Sequence, residues 1–493
     1  MSFGWLRASA TPSAPAPKPY LISGHLPYLR ADPLGFLTRC ARDYGPFVPL
    51  RFYTWRVALV SDPDLIEYVL VTGHHHFTKS PGLRRNRRLL GNGLLTSDGD
   101  LWRRQRRLML PAFHRQRLAT YGQTMVAYAQ RHLAGWRDGE VRDLHQGMMR
   151  LTLEIVAQTL FGADVAGDAA AVSEALTAAL ARVGERMAGI LFLLPERVPT
   201  PGNLRFERAA RRLDQIIFRI IEQRRGSATA RGEPSPGSDE TLLAMLLRAQ
   251  DGDGSGMTDQ QLRDEVMTLI LAGHETTAIA LTWTWYLLSQ HPEVEARLHA
   301  ELARALGGRP PTVADLPHLT YAQQVITEAM RLYPPAWAIS RQAKEDLALG
   351  GHRLPAGTIV VMSQWVMHRH PRFYDEPEVF RPERWEHGTA QQLPRFAYFP
   401  FGGGPRLCIG QAFAMMEATL LLATIAQHYA FRLVPGHPVT PWPVVTLRPR
   451  YGMRMTLHRR ASHDGGDAPE RTGAASLDYS RPVRELPLPL GEG

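Results

Sequence analysis

Phe401-Gly402-Gly403-Gly404-Pro405-Arg406-Leu407-Cys408-Ile409-Gly410 is the stretch on which the reading of this chain turns. One of two cysteines stands here, after an arginine, among glycines, and just ahead of Gln411–Tyr429, an apolar run that reads as a helix. A thiol before a helix N-terminus meets the positive end of the helix dipole and free backbone N–H groups, and both favour a thiolate. Arg406 adds positive charge, and the glycines admit a flat or bulky group close to the backbone. The pattern suits a thiolate ligand. It does not suit a nucleotide loop: after Gly402 and Gly404 the third glycine position is Leu407, and no G-K-[ST] follows.

The rest of the chain bounds this reading. At 493 residues it can bury a large core, and with 44% hydrophobic and 21% charged residues it has the composition of a globular protein. Cys40 and Cys408 make no disulfide framework, and both thiols are read as free. Met1–Tyr20 is rich in proline and alanine and fits neither a signal peptide nor a membrane anchor, so a cytoplasmic protein without a transmembrane anchor is expected. The net charge of +10 is spread over dispersed arginines with no nucleic-acid module, and no nucleic-acid partner is expected.

Alternation over Phe47–Val60 predicts two short strands, and Ser61-Asp62-Pro63 a helix entry. Helical patterns dominate from Asp100. Thr258 and Gln261 have capping-box spacing at the head of a helix that runs to Gln290. Its middle is apolar on nearly every face except Gly273-His274-Glu275-Thr276-Thr277. An all-round apolar helix is buried, and buried Glu275 needs a partner or a task. Gly226–Asp239 has loop chemistry. Residues 1–18 are expected to be a flexible segment, 19–460 the catalytic domain, and 461–493 a disordered tail.

Zinc is disfavoured. His274-Glu275 begins H-E-x-x-H, but Ala278 stands where the second histidine belongs, and His74-His75-His76 lacks ligand spacing. Five segments, in order, instead resemble the cytochrome P450 family. Phe401, Gly404, Arg406, Cys408 and Gly410 complete its haem signature F-x-x-G-x-R-x-C-x-G. Ala272–Thr277 is similar to its oxygen-activating segment, and Glu328-Ala329-Met330-Arg331 to its E-x-x-R helix. Pro382-Glu383-Arg384-Trp385 resembles the segment whose arginine joins that pair, and Trp102 and Arg106 the W-x-x-x-R helix.

The resemblance implies a mainly α fold with small β-sheets enclosing haem b in one domain. It implies that Cys408 ligates the iron and that Trp102, Arg106, Arg341, Phe401 and Arg406 hold the cofactor. Arginines make charge-assisted bonds to propionates, and a thiolate pushes electron density toward O–O cleavage. Glu275 and Thr276 become the acid and alcohol that supply protons during oxygen activation, although a helical Thr can instead bond back to the carbonyl four residues earlier. Glu328, Arg331 and Arg384 are expected to be structural.

On the other side of the haem, the resemblance puts Leu94 and Leu95 (within Leu83–Leu95), Ala272, Ala336, Trp337, Ala338 and Val445 around the substrate, with Ile190–Leu194 as a lid. The implied activity is a monooxygenase using O2 and an apolar substrate: a fatty acid, terpenoid or carotenoid. An arginine among Arg84, Arg85, Arg87 and Arg88 could pair with a fatty-acid carboxylate, or these could be exposed loop charges. NAD(P)H would serve indirectly, through a ferredoxin or flavodoxin with its reductase docking on the cluster Arg103, Arg104, Arg107, His114 and Arg115, and a monomer is expected. Rival readings are a haem-thiolate peroxygenase or isomerase, which would not be expected to need the Glu275/Thr276 pair, and a non-enzymatic haem sensor.

Overall fold

The computed structural model describes residues 14–460 apart from 166, most of 169–199, 231–240, 250–255, 387 and 389–391. At its centre lies the helix Asp259–Gln290, whose 32 residues span about 48 Å at 1.5 Å each. Both halves of the predicted capping box form: Gln261 N–H donates to Thr258 Oγ1 (3.2 Å), and Thr258 N–H to Gln261 Oε1 (2.9 Å). The central helix is buried on most faces because four helices surround it: Leu144–Val156, Pro201–Ala230, Thr320–Leu332 and Gln411–His428. Gly273 permits the approach of the first of these, since a Cβ there would lie 3.0 Å from Val156 Cγ2. Trp283 stacks on Tyr333 at 4.1 Å and donates its indole N–H to the Leu447 carbonyl at 2.9 Å. Truncating such a buried aromatic costs about 3–5 kcal/mol.

The predicted hairpin is present as Phe47–Phe52 and Trp55–Val60, antiparallel, with Pro63–Glu67 following as a helix. Trp55–Val60 pairs in parallel with Ile359–Met362, which pairs with Ile339–Ala343, which pairs with Phe77–Lys79, completing a five-stranded sheet. That register sets Lys79 opposite Arg341, bringing two cations from distant parts of the chain to one place. A three-stranded sheet orders Val141–Asp143, Arg454–Arg459 and Tyr429–Leu433.

Two boundaries differ from expectation. The helix Pro201–Ala230 runs into the segment read as loop from Gly226. Glycine costs about 1 kcal/mol in a helix interior, but Arg225 is bonded to Asp259 at 2.6 Å, tying the end of this helix to the start of the central one. At the other end, Ala14 packs against the core beneath the five-stranded sheet and the Pro17 carbonyl accepts from His25 Nε2 at 2.8 Å, so the attached chain begins before Pro19. The expected lid at Ile190–Leu194 and tail at 461–493 lie outside the described residues.

Candidate functional site

A cavity of about 740 Å³, mostly apolar in its lining, opens between the central helix and the Cys408 loop. Cys408 is exposed by surface area yet surrounded by protein, because the surface it shows is cavity wall. Its N–H donates to the Phe401 carbonyl at 3.1 Å. Gly404 has φ +65°, and a Cβ there would lie 1.8 Å from the Leu70 carbonyl oxygen, so this turn admits no side chain. Burial pushes the Cys408 thiol up, against the pull of the Gly410 N–H and the Arg106 charge. The sequence pointed to Arg406 as the neighbouring cation; in the fold Arg106 has that place, its Nη1 donating to the Leu407 carbonyl at 2.9 Å. A metal ion would reverse the balance, since a coordinating thiol is deprotonated outright.

Lys79, Arg341 and Arg406 all line the cavity and share one carboxylate, Asp98. Burial would raise the Asp98 carboxyl, but bonds from Arg406, Thr78 and the Lys79 N–H hold it well below the usual carboxylate range. Burial and the Arg406 charge press Lys79 down to about 7 and Arg341 to about 10. Arg406 lies 4.8 Å over the Trp102 ring, and its Nη1 is buried without a partner. The rim therefore holds more cations than anions and an unused donor. Haem, whose iron takes a thiolate and whose two propionates accept hydrogen bonds, would supply the missing acceptors, and the residues present fit it. Lys79 and Asp98 escaped the sequence reading. Asp98 was legible only as the cap of Gly99–Met109, and its bond to Arg406 spans 308 residues.

Along the central helix, Ala272, Gly273 and Thr276 face the cavity. Thr276 Oγ1 donates to the Ala272 carbonyl at 2.8 Å, the back-bond foreseen as its structural reading. Glu275 also borders the cavity but is 1% exposed, and its Oε1 accepts from Thr446 and from Arg448 Nε at 2.8 Å. Neither partner was found in the sequence; the one available signal was an arginine inside the apolar strand Leu447–Pro449.

Away from the cavity, Glu328 accepts both bonds of Arg331 at 2.8 Å, one from Arg384 Nε at 3.4 Å and one from the Trp385 indole at 2.9 Å. Arg331 also donates to the carbonyls of His368, Pro377 and Val379. A buried pair with every donor used is a structural clamp.

Leu94, Leu95, Ala272, Ala336, Trp337, Ala338 and Val445 all border the cavity. Of the first-wall arginines, Arg84 donates to Gln342 at 2.6 Å and Arg87 to the Thr96 carbonyl at 3.3 Å. Arg88 borders the cavity but is paired with Glu207. A smaller polar cleft of about 240 Å³, edged by Arg297, Tyr321 and Glu386, shares no lining residue with the main cavity. Among the described residues no cluster of His, Cys, Asp or Glu could hold a metal ion, and no helix is long and apolar enough to cross a membrane.

Residues 14–453 match the profile of the family described as Cytochrome P450. The chain belongs to the cytochrome P450 family. It is 40% identical over 433 residues to the cyclooctatin synthase of Streptomyces melanosporofaciens, covering 88% of this chain and 93% of that one. It is 38% identical to the cyclooctat-9-en-7-ol 5-monooxygenase of the same organism (87% and 93% covered) and 35% identical to the pentalenene oxygenase of Streptomyces avermitilis (90% and 97%). The haem domain of cytochrome P450DA superposes with a TM-score of 0.81 at 28% identity, covering 91% of this chain and 98% of that domain. This P450 is a haem-thiolate monooxygenase that uses haem b and O2, takes NAD(P)H-derived electrons from redox partners, and acts on apolar substrates.

Proposed function

We propose that this P450 hydroxylates or epoxidises a cyclic terpenoid. The observation that carries the reading is the cavity itself: about 740 Å³ with a mostly apolar lining, its bordering Arg88 already paired with Glu207 and so ill placed for a fatty-acid carboxylate. The relatives whose names state an oxygenation of pentalenene or of cyclooctat-9-en-7-ol support the same class.

Cys408 would hold haem, with Arg341, Arg406, Lys79, Trp102 and Arg106 on its propionate side and Phe401 beside the thiolate. Bound there, haem supplies the activation of O2 by which one oxygen atom enters a C–H bond or alkene and the other leaves as water, with two electrons and two protons consumed. Thr276 holds its hydroxyl at the cavity face, and Glu275, kept by Thr446 and Arg448, is the carboxylate one residue away that passes protons inward. Leu94, Leu95, Ala336, Trp337, Ala338 and Val445 orient the substrate by shape. Electrons come from a ferredoxin or flavodoxin with its reductase, and residues 14–460 act as one catalytic unit in a monomer.

Spectral titration of the haem-loaded protein with cyclic terpenes, carotenoids and fatty acids tests the substrate class. Cyclic terpenes are expected to shift the haem band at micromolar concentration, and turnover is expected with NAD(P)H, O2 and surrogate redox partners. Equal response to a fatty acid and its methyl ester is also expected; a strong preference for the free acid would overturn the terpenoid reading.

A further inference from the structure

The central helix carries five threonines, and four behave alike. Thr276, Thr277, Thr282 and Thr284 each donate to the carbonyl four residues earlier, at 2.6–3.2 Å. Thr268 does not. Its Oγ1 is buried without a partner, although the residue borders the cavity. One turn earlier Glu265 is fully buried; its Oε2 accepts from the Leu94 N–H at 2.8 Å, while its Oε1 has no partner. Residues three apart on a helix share a face, so two unused polar atoms stand one turn apart where the helix meets the Gly93-Leu94-Leu95 wall. Gly93 makes that approach possible: a Cβ there would lie 2.2 Å from Thr268 Oγ1 and 2.4 Å from the Asp264 carbonyl.

An orphaned buried hydroxyl or carboxyl oxygen costs about 1–3 kcal/mol. Two of them one helical turn apart, with Thr268 at the border of a mostly apolar cavity and Glu265 behind it, call for a ligand that both donates and accepts. An alcohol does both. Burial, opposed by the Leu94 N–H, pushes the Glu265 carboxyl up to about 8, so near neutral pH it carries a proton and is tolerated beside an apolar wall.

We propose that Thr268, backed by Glu265, is a polar notch that binds a hydroxyl already present on the substrate. The inference deepens the terpenoid reading and rests on it for the carbon skeleton. Thr268 lies eight residues from Thr276, about 12 Å along the helix, which leaves room for a fused-ring body between the anchored hydroxyl and the oxidised carbon. A reaction that installs a hydroxyl on the skeleton must then precede this one.

The test is a set of matched probes in which only the hydroxyl differs: kaurane with 16-hydroxykaurane, and dodecane with dodecanol, each titrated by its shift of the haem band. Wild type is expected to bind the fused-ring alcohol about tenfold more tightly than its hydrocarbon. In Thr268→Val that ratio falls toward one, and Thr268→Ser restores it. Haem content and the carbon monoxide difference spectrum report whether each variant is folded. The proposal is overturned if wild type shows no preference, if neither alcohol produces a shift, or if Thr268→Val keeps the preference, the last meaning that the notch holds water alone. A shift and a preference confined to the linear pair would leave the notch standing and remove the terpenoid reading.

Discussion

Cys408 stood out within ten consecutive residues because the glycine turn and the following helix are local chemistry, whereas the cation beside it, Arg106, comes from a distant helix that no local pattern names. Glu275 was half-legible. Its burial followed from the apolar faces around it, but Arg448 and Thr446 arrive from a strand and the bend before it, more than 170 positions away, and no spacing rule reaches that far. Thr276 supports a direct prediction. Thr276→Ala removes the hydroxyl at the cavity face while leaving the buried Glu275–Arg448 pair in place. Electron consumption should continue while product falls at least several-fold; equal product per NADPH in wild type and variant would remove Thr276 from proton delivery. Glu417 gives a second. Burial pushes its carboxyl from 4.5 up to about 8, so the native state keeps a proton that the unfolded chain releases. The native state then binds more protons between those values, and stability declines as pH rises from about 4.5 to about 8. Glu417→Gln removes this dependence. Its melting temperature should gain on wild type between pH 5 and pH 8, by the equivalent of a few kcal/mol. Parallel melting curves across that range would contradict it.

Elements were legible where their ends carry chemistry. The central helix announced itself through Thr258 and Gln261, and the hairpin through period-two alternation. Gly226–Ala230 was missed because propensity describes a free chain, whereas here Arg225 and Asp259 hold two helices together. The network at Glu328 shows the same limit. Its arginines could be named from short motifs, but the Trp385 indole and the three carbonyls that absorb Arg331 come from the folded path of residues 368–385. Because every donor there is aimed at one carboxylate or a carbonyl, Glu328→Gln leaves two buried guanidiniums without a counter-charge. The expected cost is about 3–5 kcal/mol. Purified variant should carry markedly less haem than wild type, measured by the ratio of haem to protein absorbance. Full loading with an unchanged denaturation midpoint would mean the network is dispensable.

For the whole molecule the open question is where electrons enter. The helix Gly99–Met109 presents Arg106 to the Cys408 loop, bonding Leu407, and on its outer side Arg103 and Arg107 are exposed. That places positive charge on the Cys408 side of the cavity, within a chain whose net charge is +10. Charge of one sign over a docking face raises the association rate with an oppositely charged partner, and salt weakens the effect because the screening length is about 8 Å at physiological ionic strength. An acidic ferredoxin or flavodoxin would be steered to this face. Arg103 is already paired with Asp100, so its reversal also removes an exposed i,i+3 contact. Such contacts contribute less than about 1 kcal/mol, and stability should barely move. The double variant Arg103→Glu, Arg107→Glu is therefore expected to slow reduction by an acidic ferredoxin about tenfold or more at low salt and to flatten its dependence on ionic strength, while the spectral response to substrate stays as in wild type. Stopped-flow reduction under carbon monoxide across a salt series reads both quantities. An unchanged salt slope would place the electron entry on another face.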